Sequence, residues 1–485
     1  MQLCKIIESI ADKLVFGPSG REIKGIAIDS RKIIPGFMFA AIKGTRVDGH
    51  SYIGQAIGQG AVSVLCSRLP SDMPEGVSFI QVKDVRKALG EACSAFYDYP
   101  DRNLRIIGIT GTNGKTSIAT WLYELGESLG YPCGLISTIN VKIRDRSIAA
   151  THTTPDIINL YGYLDSMVKA GCNYVFMEVS SHALDQDRVA GLSFSGAVFT
   201  NISRDHLDYH GDFASYIKVK KRLFDNLGAD SFSLVNKDDK NARVMVQNCH
   251  ARKRGYSNKT VSDYQGKLVE QINQGMMMQI NGRELWVPFI GKFNASNITA
   301  VFGVANELGW ATDEVLTGIS RMNPVNGRFE KVDMGDGITG IVDYAHTPDA
   351  LDNVLEAIME MCSPAQQVIT VIGAGGDRDK GKRPEMAAAA CSKSNIVILT
   401  SDNPRSENPE DIIGEMKAGV PRNMESQVFS VTNRREAIRL AYALAKEGDY
   451  ILVAGKGHET YQEIMGDRKH FDDREELLKI IASNQ

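Results

Sequence analysis

A β-rich apolar run, Arg105-Ile-Ile-Gly-Ile-Thr110, leads directly into Gly111-Thr-Asn-Gly-Lys-Thr116, and a helical pattern follows with Ile118, Trp121, Leu122, Leu125 and Leu129 on one face. Strand, glycine turn and helix in that order constrain the fold more than any other feature. Such a unit points successive backbone N–H groups and a helix N-terminus at an anion. Gly111 and Gly114 let the chain bend around phosphate oxygens, Lys115 brings a mobile positive charge, and the Thr116 hydroxyl suits Mg²⁺. The common form of the motif has a further glycine where this chain has Ile109, so the loop is a variant.

Around this unit, 485 residues leave room for about three domains, each able to bury its own core. The formal net charge of −4 offers no pull toward nucleic acid, and no apolar run approaches the length that spans a bilayer. The start, MQLCKIIESIADKL, mixes charge into its apolar positions and reads as an amphipathic element rather than a leader, which makes the cytoplasm the expected compartment. Eight scattered cysteines without a CxxC pair fit reduced, buried thiols better than a disulfide framework or a zinc ribbon.

Turn signals divide the chain near Pro100-Asp101 and near Asn323-Pro-Val-Asn-Gly327, giving segments 1–100, 101–325 and 326–485. In the second and third, the runs YVFMEV, GAVFTNI, QVITVIG, NIVILT and DYILVAG alternate with helix-like stretches. That alternation predicts an α/β chain of βαβ units with mostly parallel sheets, and places ligands at the carboxyl ends of the strands. Polar clusters stand at those ends: Glu178-Val-Ser-Ser-His182, Ser203-Arg-Asp-His-Leu-Asp-Tyr-His210 and Asp402-Asn-Pro-Arg405. Mg²⁺ prefers oxygen ligands, so Glu178 and Thr116 suit it and His206 is a less usual third. The segment Tyr216 to Phe224 is basic on one side, which by composition alone reads as a solvated face, and Asn-Pro by itself reads as a turn.

The set GTNGKT, MEVSSHAL, NISRDHLDYHG, YxxVKxxLF, GKFNASN, NGRFE, DYAHTP, GGDRDKGKRP, DNPR and GKGHE resembles the Mur ligases, in order and from Asp29 to Glu459. The resemblance implies a small N-terminal α/β domain for a UDP-sugar, a central P-loop-type ATPase, and a C-terminal Rossmann-like domain for the amino acid. It further implies an ATP-dependent ligase of peptidoglycan precursor synthesis that phosphorylates the D-glutamate side-chain carboxylate of UDP-MurNAc-L-Ala-D-Glu. An incoming amine then displaces phosphate through a tetrahedral intermediate. Implied partners are these small molecules and ATP, with Mg²⁺ as cofactor, no nucleic acid, no membrane insertion, and a monomeric chain.

Carried over by motif, Lys115, Glu178, His206 and Lys220 are the catalytic set, and Thr116, Glu178, His206 and a carbamylated Lys220 the metal set. An ammonium repels Mg²⁺, whereas CO₂ addition converts Lys220 to a carboxylate-like ligand; Lys221 is the competing assignment. ATP falls to Gly111, Thr112, Asn113, Gly114, Lys115, Thr116, Ser117, Asn294, Asn297, Arg328, Asp343 and His346. The UDP-sugar falls to Ser30, Thr45, Arg46, Val47, His152, Thr153, Thr154, Ser180, Gln186 and Arg188, with His152 where the family often has Asn. In DNPR the chain resembles the family's meso-diaminopimelate version. A guanidinium binds the distal carboxylate that lysine lacks, which makes Arg405 the discriminating residue and Arg378 a second partner. Asp402, Asn403, Pro404, Gly455 and Glu459 complete that expected site. An L-lysine-adding ligase, a folylpolyglutamate synthetase and a nucleotide-gated binding protein are the competing readings; the UDP-sugar domain argues against the second.

Overall fold

In the computed structural model, which describes residues 1–44 and 47–484, three successive stretches of chain form three sheets, joined by a separate two-stranded hairpin. The first sheet runs in the order Lys13–Phe16, Ser78–Val82, Ala61–Cys66, Phe37–Ala40, Gly25–Ala27, with only the Lys13–Phe16 edge antiparallel. Its domain does not stand apart from the second. The helix Val85–Phe96 packs against the helix Ile157–Lys169 within one continuous apolar core. At their junction a Cβ on Gly90 would lie 2.4 Å from the Ala190 carbonyl oxygen, so only glycine permits that approach.

In the second sheet the strand Arg105–Thr110 lies between Tyr174–Glu178 and Gly196–Phe199, both parallel to it. The phosphate loop follows its carboxyl end, where the sheet continues on both sides of the central strand. Further parallel strands, Phe232–Asn236 and Arg252–Ser257 on one side and Cys133–Ile136 on the other, extend the sheet. The expectation of mostly parallel pairing holds for this centre, but both edges continue as antiparallel hairpins, Asn140–Ile143 with Arg146–Ala149, and Tyr264–Ile272 with Gly275–Ile280 and Arg283–Val287. Met276, Met278 and Ile280 alternate inward there and join the core under the helix Lys292–Glu307.

The helix Lys115–Ser128 carries the face read from the sequence. Trp121 is buried, packs at a tilt of 43° on Phe289 with 4.4 Å between ring centroids, and donates its indole N–H to the Asn323 carbonyl at 3.0 Å. Truncating it to alanine would cost about 3–5 kcal/mol.

The third sheet runs Glu330–Asp333, Thr339–Asp343, Tyr450–Ala454, Val368–Ala374, Ile396–Ser401, Val428–Ser430, parallel except for the first pair. The chain enters it through Gly327, whose φ of +66° and whose position 2.1 Å (for a Cβ) from the His458 backbone nitrogen both demand glycine. Asp343 ties this entry down, accepting from the Phe329 and Ala345 N–H groups at 2.7 Å each. All eight cysteines are free thiols, six of them buried. Among the described residues no helix is long and apolar enough to cross a membrane.

Candidate active site

A cavity of about 1200 Å³ opens where the second and third sheets face each other, and it reaches from the phosphate loop to the ends of three strands of the third sheet. At one end Gly111 (φ +149°) and Gly114 (φ +85°) make the turn, and neither tolerates a side chain. A Cβ on Gly111 would strike the Thr200 hydroxyl, and one on Gly114 would lie 2.5 Å from the Asn297 side-chain oxygen. Asn113 accepts from Thr200 at 2.6 Å through its carbonyl, and its amide donates to Asp349 of the third-sheet domain at 3.0 Å. Thr112, which lines the cavity, bonds through its hydroxyl to the Ser203 carbonyl and to Tyr216 at 3.2 Å each.

Lys115 folds back onto the carbonyls of Gly111 (3.0 Å) and Thr112 (2.8 Å). Burial lowers its pKa, while Glu178 and Asp205 pull the other way. Arg328, entering from the linker, donates to the Thr116 hydroxyl at 3.1 Å and lies over the Tyr344 ring at 4.3 Å.

The helix Phe213–Asp225 corrects the solvated-face reading. Tyr216, Lys220, Lys221, Leu223 and Phe224 are buried on it. Lys220, 1% exposed, donates to the Gly111 carbonyl at 2.8 Å, whereas Lys221 turns to Asp225 on its own helix. Burial drives the Lys220 amine well below the ordinary lysine range, and the Lys115 ammonium adds to that effect.

Glu178 is 1% exposed and accepts from the Thr138 N–H at 2.7 Å and its hydroxyl at 3.2 Å. His206, at φ +56°, lies 3.3 Å from the Asp205 carboxylate; burial lowers its pKa to about 3, and that of His182 to about 4. Among the described residues no three His, Cys, Asp or Glu side chains gather into a metal cluster.

Asp205 escaped the sequence reading. It is 4% exposed and faces His346 (3.9 Å) and Lys382 (3.8 Å) across the domain junction. Burial alone would raise its pKa, but the surrounding histidines and lysines hold it well below the usual carboxylate range. Its signal was present inside the motif RDHLDYH, though nothing in the sequence marked it as buried. Tyr344, which packs on His458 at 5.2 Å, was missed for the same reason.

Several expected contacts are placed differently. The Thr154 hydroxyl donates to the Glu178 carbonyl at 2.8 Å and accepts from the Ser180 N–H at 3.1 Å, so it ties the loop to the strand end. Ser180 caps the helix Ser181–Asp185 through the Ala183 N–H. Asn294 is buried and donates to the Ile290 carbonyl, while Asn297 lines the cavity. Thr153, His152 and Arg188 also line it; Gln186 stands behind Arg188 and accepts from its guanidinium at 2.7 and 3.0 Å. Ser30 bonds to Gln55, and Val47 is exposed; neither lines the cavity. Thr45 and Arg46 lie outside the described residues.

At the far end Arg378, Asp402, Asn403, Arg405, Gly455 and Glu459 line the cavity together. Pro404 lies just behind, its carbonyl against Gly376. Arg405, at φ +53°, donates to the Gly376 carbonyl at 2.7 Å, and its backbone pairs with Glu463 and Met465 of the hairpin Tyr461–Ile464 and Asp467–His470. Asn403 donates to Glu459 at 2.7 Å; burial, and then the neighbouring Asp402, push the Glu459 carboxyl above its usual range. His346 and Asp343 stand between the two ends, with His346 lowered to about 4 by burial and Asp343 raised by it.

Family models match most of the chain: the Mur ligase family catalytic domain over residues 22–97, the Mur ligase middle domain over 109–305, and the Mur ligase glutamate ligase domain over 327–457. A protein of Bacteroides fragilis named UDP-N-acetylmuramoyl-L-alanyl-D-glutamate–2,6-diaminopimelate ligase is 50% identical over 482 residues, 99% of each chain. A solved structure of a ligase with that same name superposes with a TM-score of 0.67 at 33% identity, covering 95% of both chains. A folylpolyglutamate synthase of Mycobacterium tuberculosis, solved with ADP and AMPPCP, shares the fold at a TM-score of 0.60 and 18% identity, but covers only 76% of this chain.

Proposed function

The chain belongs to the Mur ligase family, and from that premise we propose that it is the ATP-dependent ligase joining meso-diaminopimelate to the D-glutamate side chain of UDP-MurNAc-L-Ala-D-Glu, a step of peptidoglycan precursor synthesis. The observation that carries this reading is the convergence, in one cavity, of a phosphate loop with two arginines at the opposite end. A carboxylate is a poor electrophile. Its attack on the γ-phosphorus of ATP, with ADP leaving, yields an acyl phosphate whose carbonyl carbon accepts the amine. The tetrahedral intermediate then expels phosphate and the amide forms. Lys115, the loop N–H groups and Arg328 offset charge on the transferring phosphoryl group. Glu459 and Asp402 receive the ammonium end of the amino acid, and Arg405 with Arg378 its distal carboxylate.

The donor set fits Mg²⁺ once Lys220 is a carbamate. Its buried, depressed amine is the nucleophilic form that adds CO₂, forming the N–C bond and releasing a proton, and the contact of Lys220 with the phosphate loop favours it over Lys221. Thr116, Glu178, His206 and carbamylated Lys220 would hold the ion, which neutralises phosphate charge. Thr153, Ser180 and Arg188, with Gln186 behind, suit the acidic end of the UDP-sugar peptide, and Ser30 and Val47 mark a separate surface for its UDP end. One chain supplies both ends of the cavity, which suits a monomer acting in the cytoplasm on soluble small molecules.

The test offers ATP, Mg²⁺ and UDP-MurNAc-L-Ala-D-Glu with meso-diaminopimelate and L-lysine in parallel, and identifies products by mass. Amide formation with meso-diaminopimelate in clear preference is the expected result. A preference for lysine overturns the reading of Arg405, and no amine-dependent phosphate release with either overturns the ligase assignment.

A further inference from the structure

After Trp121, the largest fully buried side chains among the described residues are two arginines, Arg383 and Arg434. A buried guanidinium is tolerated only where its donors are answered. Arg434 is answered by Asp473, equally buried, in two bonds of 2.7 Å. Arg383 instead spends its four terminal N–H donors on the turns that frame the amino-acid end of the cavity and on Glu415, while its Nε–H has no partner among the described residues. Its two terminal nitrogens bond bidentately to Glu407 at 2.8 and 3.0 Å, one reaches the Gly375 carbonyl at 3.2 Å, and the other reaches Glu415 at 2.7 Å.

Glu407 carries the link onward. Its carboxylate also accepts the Asp377 N–H at 2.6 Å, and Asp377 in turn accepts from the Ser406 hydroxyl at 2.6 Å. The turns at 375–378 and 403–407 are therefore laced together, with Gly376 donating to the Asn403 carbonyl at 2.9 Å. The contact is so close that a Cβ on Gly376 would overlap the Pro404 carbonyl. Both turns hold a non-glycine residue in the left-handed region, Asp377 at φ +54° and Arg405 at φ +53°. Each such residue is strained and persists only where its surroundings over-determine it. Arg378 follows the first strained residue, and Arg405 is the second. The bonds from Arg383 hold the Glu407 carboxyl down to about 2, so the pair is fully ionised at neutral pH.

We infer that Arg383 and Glu407 are positioning residues for amino-acid selection: their bidentate pair sets the spacing of Arg378 and Arg405, and with it the preference for an amine that bears a distal carboxylate. The inference rests on the proposed role of Arg405. A bidentate grip on a planar carboxylate is sensitive to small displacements, whereas a lysine, lacking that carboxylate, is indifferent to them.

The experiment measures amide formation by the full-length protein with meso-diaminopimelate and with L-lysine, for Glu407→Gln, Arg383→Lys and Arg405→Ala, alongside thermal unfolding. Glu407→Gln keeps an acceptor for the Asp377 N–H and leaves Arg383 its Glu415 partner, so this variant decides the matter if Arg383→Lys does not fold. Expected is a KM for meso-diaminopimelate raised about tenfold, a KM for ATP changed less than about twofold, and a diaminopimelate-to-lysine preference reduced about tenfold. A folded Glu407→Gln protein with unchanged KM and preference overturns the inference, as does an equal rise in both KM values. If Arg405→Ala leaves the KM for meso-diaminopimelate unchanged, the underlying reading of Arg405 fails. If Arg405→Ala raises it and Glu407→Gln does not, only the positioning role falls.

Discussion

At the nucleotide end of the cavity, six consecutive residues from Gly111 to Thr116 supply turn, backbone donors and cation together. At the amino-acid end, the lining comes from the exits of three strands, Val368–Ala374, Ile396–Ser401 and Tyr450–Ala454. On the proposed function, the first end would work through main-chain groups whose geometry follows from two glycines, so its role would be local and nearly all-or-none. The second would work through side chains on separate turns, held by Arg383, by Arg434 and by the hairpin that pairs with Arg405, so its role would be assembled and graded by substrate. The contrast teaches that a charge removed from the first should abolish turnover, whereas one removed from the second should change which amine is used.

The largest effect tests the nucleotide end. Lys115→Ala should lower kcat/KM about a thousandfold, read as phosphate release with all three substrates present, because it removes a half-buried cation from the transferring phosphoryl group. A loss below tenfold would place that charge elsewhere and erase the contrast.

Next, Lys220→Ala should cost about a hundredfold or more and recover partly with an added short carboxylate, while Lys221→Ala, paired only with Asp225, stays close to the parent. Equal losses in the two variants would remove the special place given to Lys220.

A smaller and more selective change belongs to the amino-acid end. Arg405→Ala should raise the KM for meso-diaminopimelate by about tenfold to a hundredfold, with the KM for ATP nearly constant. Parallel increases would make the two ends one cooperative unit.

The smallest effect sharpens the comparison where the ends meet, at His458 against the linker glycine. Burial holds this imidazole neutral down to about pH 3, and its Nδ1 has no partner, whereas the unfolded chain takes up a proton below about 6.5. The unfolded state thus binds more protons throughout that window, and stability falls as the pH drops through it. His458→Asn should flatten this acid limb by up to one proton, about 1.4 kcal/mol per pH unit, measured by denaturant unfolding.

The two ends also differ in how far the sequence alone makes them legible. The strand, turn and helix around Gly111 are written in adjacent residues, and periodicity sufficed. Lys220 against Lys221 is not decidable from composition, because helix phase relative to a neighbouring loop is a tertiary fact; of the basic residues on that helix, Lys220 and Lys221 are buried while Lys218 is exposed. Thr154 carried the right functional group, but its hydroxyl is engaged by the Glu178 carbonyl and the Ser180 N–H, a use that spacing does not reveal. Asp205, Tyr344 and Arg383 all sit inside or beside recognisable motifs. Their importance rests on burial and on partners from distant segments, and neither leaves a local pattern. The edge hairpins of the central sheet leave no such mark in the sequence, because βαβ alternation speaks only for its parallel centre.

By itself the sequence determined the phosphate loop, the α/β alternation, and the guanidinium and carboxylate groups available for an amino acid, since these follow from residue type and short-range spacing. Only the tertiary structure decided which lysine reaches the Gly111 carbonyl, which hydroxyls remain free, and how Arg378 and Arg405 are braced. Those outcomes depend on packing between segments far apart in the chain, where steric fit and the cost of burying an unanswered charge select one arrangement.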